Sequence, residues 1–217
     1  MFDKDIIKSA LIPQAFVFIG RSGSGKGTQA DLLIKKLKEL DPTRDVLYIQ
    51  TGQEFRKFIQ GQSFTEKLSA EYYKTDKLQP EFLAIKMWVD FLVDNYHGDE
   101  HIILDGTPRK LYEAKVLDSV FGFYGFGVAD SAGNILNKPH VINIDISPKE
   151  AEKRLLLRNR LDDAEEDVFK RLSWYETDVV PTVEYYRDNS AFHFLKINGE
   201  HMPEEVHADI VRDLGFV

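Results

Sequence analysis

Ten consecutive residues, Gly20-Arg21-Ser22-Gly23-Ser24-Gly25-Lys26-Gly27-Thr28-Gln29, have the composition to hold a polyphosphate. Glycines let a loop curl with its N–H groups pointing inward, and where such a loop opens a helix the positive end of the helix dipole adds to the attraction for phosphate. Lys26 supplies a full charge beside the terminal phosphates. The spacing is that of a P-loop with one departure: Gly27 follows the lysine, and the hydroxyl comes one residue later, at Thr28. Downstream stand Arg56, Arg109, Arg154, Arg158, Arg160 and Arg171. Phosphoryl transfer needs positioning and positive charge more than covalent help, and these are the residue types that give both. Any one of these arginines, taken alone, would equally serve as a surface ion pair worth little. Asp105 ends an apolar run and is placed to hold the waters of a Mg²⁺ ion, with Thr28 a second candidate for the metal. The plainer alternative for Asp105 is the N-cap of a helix that begins near Pro108.

These residues need a scaffold that brings them together. The apolar run Ala15-Phe16-Val17-Phe18-Ile19 reads as a buried strand before the glycine loop, and a helical pattern covers Ala30 to Leu40. Further strands are expected at 45–50, 101–104, 140–146 and 192–197. Between them lie short helical patterns from about Gly52 to Lys77, a helix opening at Pro80, one near Pro108 and one after Ser147-Pro148-Lys149-Glu150, which reads as a capping box. Another helix starts at Asp162-Asp163 and a last one runs from about Pro203 to Leu214. Strands alternating with helices predict an α/β fold: a doubly wound, five-stranded parallel sheet with helices on both faces. Ligands in such folds bind beyond the carboxyl ends of the strands. Gly20, Thr51, Asp105 and Gly199 each follow a predicted strand and are expected to meet at that edge. The aromatic stretch at 121–139 reads as a β-hairpin or a surface loop packed by its own rings, and residues 1–14 carry helical spacing without an assigned role.

Composition narrows the choice of partner. The chain has 217 residues, enough for one substantial core, and a formal net charge of −8, which argues against a general nucleic-acid binder. There are no cysteines, so disulfides and thiolate metal sites are excluded, and no run approaches the ~18 apolar residues of a membrane span. The amino-terminal residues lack the basic flank and apolar core of a secretory signal, and the chain reads as a cytoplasmic monomer. The six histidines show no paired metal spacing.

The form Gly-Lys-Gly-Thr-Gln at 25–29 resembles the adenylate kinase family of nucleoside monophosphate kinases, and the resemblance extends from Phe16 to Leu214. It implies one domain over 1–217 with an acceptor-binding helical segment at about 51–80 and a very short lid at about 158–163. On the donor side it implies that Gly23, Ser24, Gly25, Lys26, Gly27 and Thr28 cradle the ATP phosphates, that Arg154 and Arg158 contact adenine and phosphates, and that Gly199 and the carbonyl of His201 lie near the base. On the acceptor side it implies Thr51 beside the base, with Arg56, Gly106 and Arg109 at the monophosphate. Arg160 and Arg171, with Lys26 and Arg109, would close on the moving phosphoryl group, and Mg²⁺ would accompany the nucleotide.

Three positions depart from the family pattern. Thr107 stands where phenylalanine is usual, an expected loss of apolar packing. Only Asn159 separates Arg158 from Arg160, so water exclusion must come partly from elsewhere, with the aromatic stretch a candidate cover. Glu113 stands where glutamine is usual; an ionised carboxylate only accepts hydrogen bonds, which suits guanine better than adenine. The expected reaction is ATP + AMP ⇌ 2 ADP. The alternatives are a kinase for GMP or another monophosphate, and a nucleotide-binding regulatory module without turnover.

Overall fold

The computed structural model describes residues 12–74, 78–129, 131, 133, 135, 137–158 and 172–216, without the side chain of Arg158. Five strands, β1 Ala15–Ile19, β2 Val46–Gln50, β3 His101–Asp105, β4 His140–Asp145 and β5 His193–Asn198, form one sheet. Its order is β2-β3-β1-β4-β5 and every pairing is parallel. The register aligns the carboxyl ends, with Phe18 and Gln50 both opposite Asp105 and Asp145 opposite Asn198. The residues that follow these strands therefore emerge along one edge, as the strand pattern predicts.

All five side chains of β1 are buried, because the strand has a core on each face. Period-two alternation sends Ala15, Val17 and Ile19 to one layer with Ile102, Leu104, Trp88, Leu117 and Tyr186. Phe16 and Phe18 go to the other, with Ile103, Ile142, Leu33, Leu37 and Ile210. Helices α1 Lys26–Leu40 and α8 Pro203–Asp213 cover that second face. Helices α4 Glu81–Asn95, α5 Leu111–Phe123 and α7 Val180–Asp188 cover the first. The remaining helices are α2 Thr51–Phe58, α3 Phe64–Lys74 and α6 Pro148–Arg158, and a π-helical turn, Tyr175–Val179, leads into α7.

Several local expectations change. Helix α5 starts at Leu111 with Lys110 as its N-cap, so Asp105 caps no helix. Only half of the capping box at 147–150 forms. Ser147 Oγ accepts from the Glu150 N–H at 3.3 Å, but the Ser147 N–H donates to Glu200 Oε1 at 2.9 Å, while Glu150 turns to Arg154. The aromatic stretch is mostly neither hairpin nor free loop. Phe121 lies in α5, Phe121 and Phe126 are buried, Tyr124 meets Tyr96 edge-on, and one isolated bridge joins Ala129 to Ile135. Gly127 N donates to Asn137 O, and Phe121 packs on Phe192, so the stretch sits at the amino ends of β4 and β5. It lies at the far end of the sheet from the glycine loop and cannot cover it. Residues 1–11, the expected lid at about 158–163 apart from the backbone of Arg158, and the expected helix start at Asp162 lie outside the described residues.

Candidate active site

The glycine loop is shaped by its two ends. Gly25, at φ 91°, is the left-handed N-cap of α1, a conformation open to glycine without strain, and it aims the first N–H groups of the helix outward. Gly20, at φ 138°, passes so close to β4 that a Cβ there would lie 2.4 Å from the Ile144 carbonyl oxygen. Lys26 Nζ folds back over the loop, donating to the carbonyls of Gly20 at 3.0 Å and Arg21 at 2.7 Å. The ammonium is thus held at the concavity rather than extended into water.

A cleft of ≈ 1160 Å³ opens above this loop along the carboxyl edge of the sheet. Gly23, Ser24, Gly25, Lys26, Gly27 and Thr28 line its centre, and Arg154, Gly199 and His201 line one side. Thr51, Arg56, Gly106, Arg109 and Glu113 line the other, with Asp105 beside the loop. All the site residues expected from the sequence meet here except three. Arg160 and Arg171 lie outside the described residues, and of Arg158 only the backbone is described.

Second contacts fix most of these groups. Arg154 Nε donates to Glu150 Oε1 at 2.7 Å, and this ion pair holds the Glu150 carboxyl below its usual range. Arg109 Nε donates to Gly106 O at 3.0 Å, and its own carbonyl accepts from Thr182 Oγ1 at 3.1 Å, which ties the link after β3 to α7. Gln29 Nε2 donates to Pro203 O at 2.8 Å and so joins the start of α1 to the start of α8. Thr51 is buried, and its Oγ1 has no hydrogen-bond partner among the described residues. Such an atom costs free energy unless a ligand or water meets it.

Three residues were not predicted to act here. Tyr48 OH donates to Asp105 Oδ2 at 3.3 Å, and burial, then the Asp105 charge, push the phenol well above its usual range. Strand alternation could have placed Tyr48 beside Asp105, since both precede the same strand edge. Arg21 is the second: its Nε donates to Ile146 O at 3.2 Å, its guanidinium lies 4.0 Å over the Tyr175 ring, and it pairs with Glu176. No sequence pattern announces partners 125 and 155 residues away. Thr107 is the third. It is buried, and its hydroxyl donates to Glu113 Oε2 at 3.2 Å.

A family model described as adenylate kinase matches residues 18–191. The chain belongs to the adenylate kinase family. It is 31% identical over 199 residues to adenylate kinase 1 of a Nostoc strain, covering 92% of this chain and 97% of the relative. It is 32% identical over 200 residues to an adenylate kinase of Azobacteroides pseudotrichonymphae, covering 90% and 94%, and 30% identical over 200 residues to that of Corynebacterium glutamicum, covering 92% and 98%. Family membership makes this chain a nucleoside monophosphate kinase, and the parallel sheet with its P-loop is the fold that the resemblance implied.

The donors present suit a hard cation. Asp105 Oδ2 lies 3.3 Å from where a Cβ on Gly27 would sit, which sets a carboxylate against the first turn of α1, and Thr28 lines the same cleft. Among the described residues no group of three or more His, Cys, Asp or Glu could hold a metal ion by itself. Magnesium fits such a site, because it keeps several waters and is held by one or two protein groups plus substrate phosphates. No helix among the described residues is long and apolar enough to cross a membrane.

Proposed function

We propose that this adenylate kinase family member moves the γ-phosphoryl group of ATP to AMP, ATP + AMP ⇌ 2 ADP. One observation carries the reading: a single cleft joins Lys26, Arg56, Arg109 and Arg154 around the glycine loop. At ≈ 1160 Å³ it exceeds the roughly 300–1,000 Å³ of a site for one small ligand. Two nucleotides lying end to end account for its size and for the arginines toward both of its ends.

In this reading the N–H groups of Gly23 to Thr28 and the Lys26 ammonium hold the β- and γ-phosphates of ATP. Its adenosine lies toward Arg154, Arg158, Gly199 and His201. The monophosphate lies toward Thr51 and Gly106, its phosphate held by Arg56 and Arg109, so α2 and α3 form the acceptor arm. An oxygen of the acceptor phosphate attacks the γ-phosphorus as the bond to the β-phosphate oxygen breaks. No general base is needed, because that oxygen is already anionic. Magnesium, when bound, neutralises charge on the transferring phosphates, and Asp105 with Thr28 would orient its waters. As the resemblance implies, Arg160 and Arg171 close on the moving phosphoryl group, and exclusion of water beyond the short lid falls to parts of the chain other than the aromatic stretch. We take the working form to be a cytoplasmic monomer.

A coupled assay with ATP and each of AMP, GMP, CMP and UMP tests the proposal. Turnover with AMP is expected; no turnover with any monophosphate overturns it. Binding without turnover would instead mark a regulatory module. Glu113 is the one feature that favours GMP.

A further inference from the structure

Beside the main cleft lies a smaller cavity of ≈ 40 Å³, with Ile19, Leu78, Pro108, Trp174, Tyr175 and Val179 among its walls. Ser22, Lys26, Leu78, Arg109 and Trp174 line both spaces, so these five residues form the boundary between them. Two of the five are cations that the phosphotransfer reading sets on either side of the reaction: Lys26 at the ATP phosphates and Arg109 at the acceptor phosphate. Two others, Leu78 and Trp174, are apolar, and phosphate binding calls for neither. Trp174 is the larger of these and is half-buried.

Local structure fixes where Trp174 stands. It is the N-cap of the π-helical turn Tyr175–Val179, and single π turns are rare and are found often at functional sites. Its neighbour Tyr175 is buried, with the Arg21 guanidinium 4.0 Å from the centre of its ring. Arg21 in turn donates through Nε to Ile146 O at 3.2 Å and pairs with Glu176. The carbonyl of this same arginine accepts from Lys26 Nζ at 2.7 Å and from the Ser24 N–H at 3.2 Å. One residue thus ties the turn that opens at Trp174 to the loop that holds the lysine, and the two sides of the boundary keep their places relative to each other.

We propose that Trp174 keeps water from the γ-phosphoryl group as it passes from ATP to the acceptor, with Leu78 a smaller part of the same wall. The inference rests on the phosphotransfer reading of the cleft. Two kinds of oxygen compete for the γ-phosphorus. Attack by an oxygen of the acceptor phosphate breaks the bond to the β-phosphate oxygen and leaves two nucleoside diphosphates. Attack by a water oxygen breaks the same bond but leaves ADP and inorganic phosphate, with the proton passing to solvent. The rings of Trp174 give a water little to hydrogen-bond, so a water set against them gives up partners that it keeps in bulk. Keeping water out of this stretch also lowers the local dielectric, which strengthens the pull of Lys26 and Arg109 on the moving oxygens.

The test is the inorganic phosphate released per AMP consumed, with ATP and AMP both saturating. In Trp174→Ala this ratio should rise by about tenfold or more over wild type, since each factor of ten asks for only a small change in the barrier to attack by water. Trp174→Phe, which restores an apolar ring, should bring most of the ratio back. A residue that served only the fold would slow transfer and hydrolysis together and leave the ratio where it was. An unchanged ratio in Trp174→Ala, or a ratio in Trp174→Phe as high as in Trp174→Ala, overturns the proposal. Should Trp174→Ala fail to fold or to consume AMP, wild-type fluorescence decides. The chain has two tryptophans, and Trp88 is 1% exposed, so quenching by acrylamide reports on Trp174. Quenching should fall when two adenosines joined by a chain of phosphates occupy the cleft, and unchanged quenching with that ligand shown by calorimetry to be bound overturns the proposal. Wild type that consumes no monophosphate removes the phosphotransfer reading and this inference with it, whereas an unchanged ratio beside normal turnover removes this inference alone.

Discussion

The two ends of the sheet use the same residue types for opposite purposes. At the amino end the charged groups are spent on one another. Arg44 Nε donates to Asp41 Oδ2 at 2.8 Å and its guanidinium also pairs with Asp99, while the Gln14 N–H donates to His101 Nδ1 at 3.0 Å. His140 and His193, opposite each other in β4 and β5, share a 3.0 Å contact between their Nδ1 atoms, and His140 stacks on Phe16. Burial holds His101 down to about 4 and His140 to about 3, so both are neutral at pH 7. At the carboxyl end, by contrast, cations collect around a cleft, and Thr51 Oγ1 and Ser24 Oγ are buried without a partner among the described residues. Polar groups that satisfy each other stabilise a fold; polar groups held apart by the backbone wait for a ligand.

That division predicts opposite outcomes for substitutions at the two ends. The largest effect is expected from Lys26→Met, which removes the charge at the loop. Turnover should fall by about 10²–10³, the usual scale for one preorganised donor, while thermal stability drops by only ~1 kcal/mol for the lost bonds to Gly20 and Arg21. Steady-state kinetics beside a melting curve measure both. Smaller, and of the other kind, is Arg44→Ala, which leaves the nearly buried Asp41 carboxylate unpaired. About 3 kcal/mol of stability should be lost, seen as a melting temperature lower by about 6–12 °C, with turnover of the folded enzyme unchanged. If Lys26→Met unfolds the protein, or Arg44→Ala abolishes turnover at a temperature where it is folded, the two ends are not separable in this way.

Local pattern made much of this legible. β1 is apolar throughout because both its faces are covered, and the glycine loop follows it directly, so strand, turn and helix could be read in order. The register then brought Thr51, Asp105 and Gly199 to one edge, as their places after strands implied. Pairings between segments distant in sequence were not legible. Thr107 and Glu113 read as two independent departures from the family pattern, whereas in the folded chain one hydroxyl serves the other's carboxyl. Arg21 gave no hint of the Tyr175 ring, and Ser147 gave its N–H to Glu200 rather than to the glutamate three residues on. The aromatic stretch was misplaced because its composition shows that it packs without showing against which end of the sheet.

The central claim is that one cleft holds donor and acceptor together, and the most direct test is a bisubstrate ligand, two adenosines joined by a chain of phosphates. Calorimetry should give one molecule bound per chain, displacing ATP and AMP alike and binding far more weakly to Lys26→Met. Two molecules bound per chain, or displacement of only one of the two nucleotides, would contradict it.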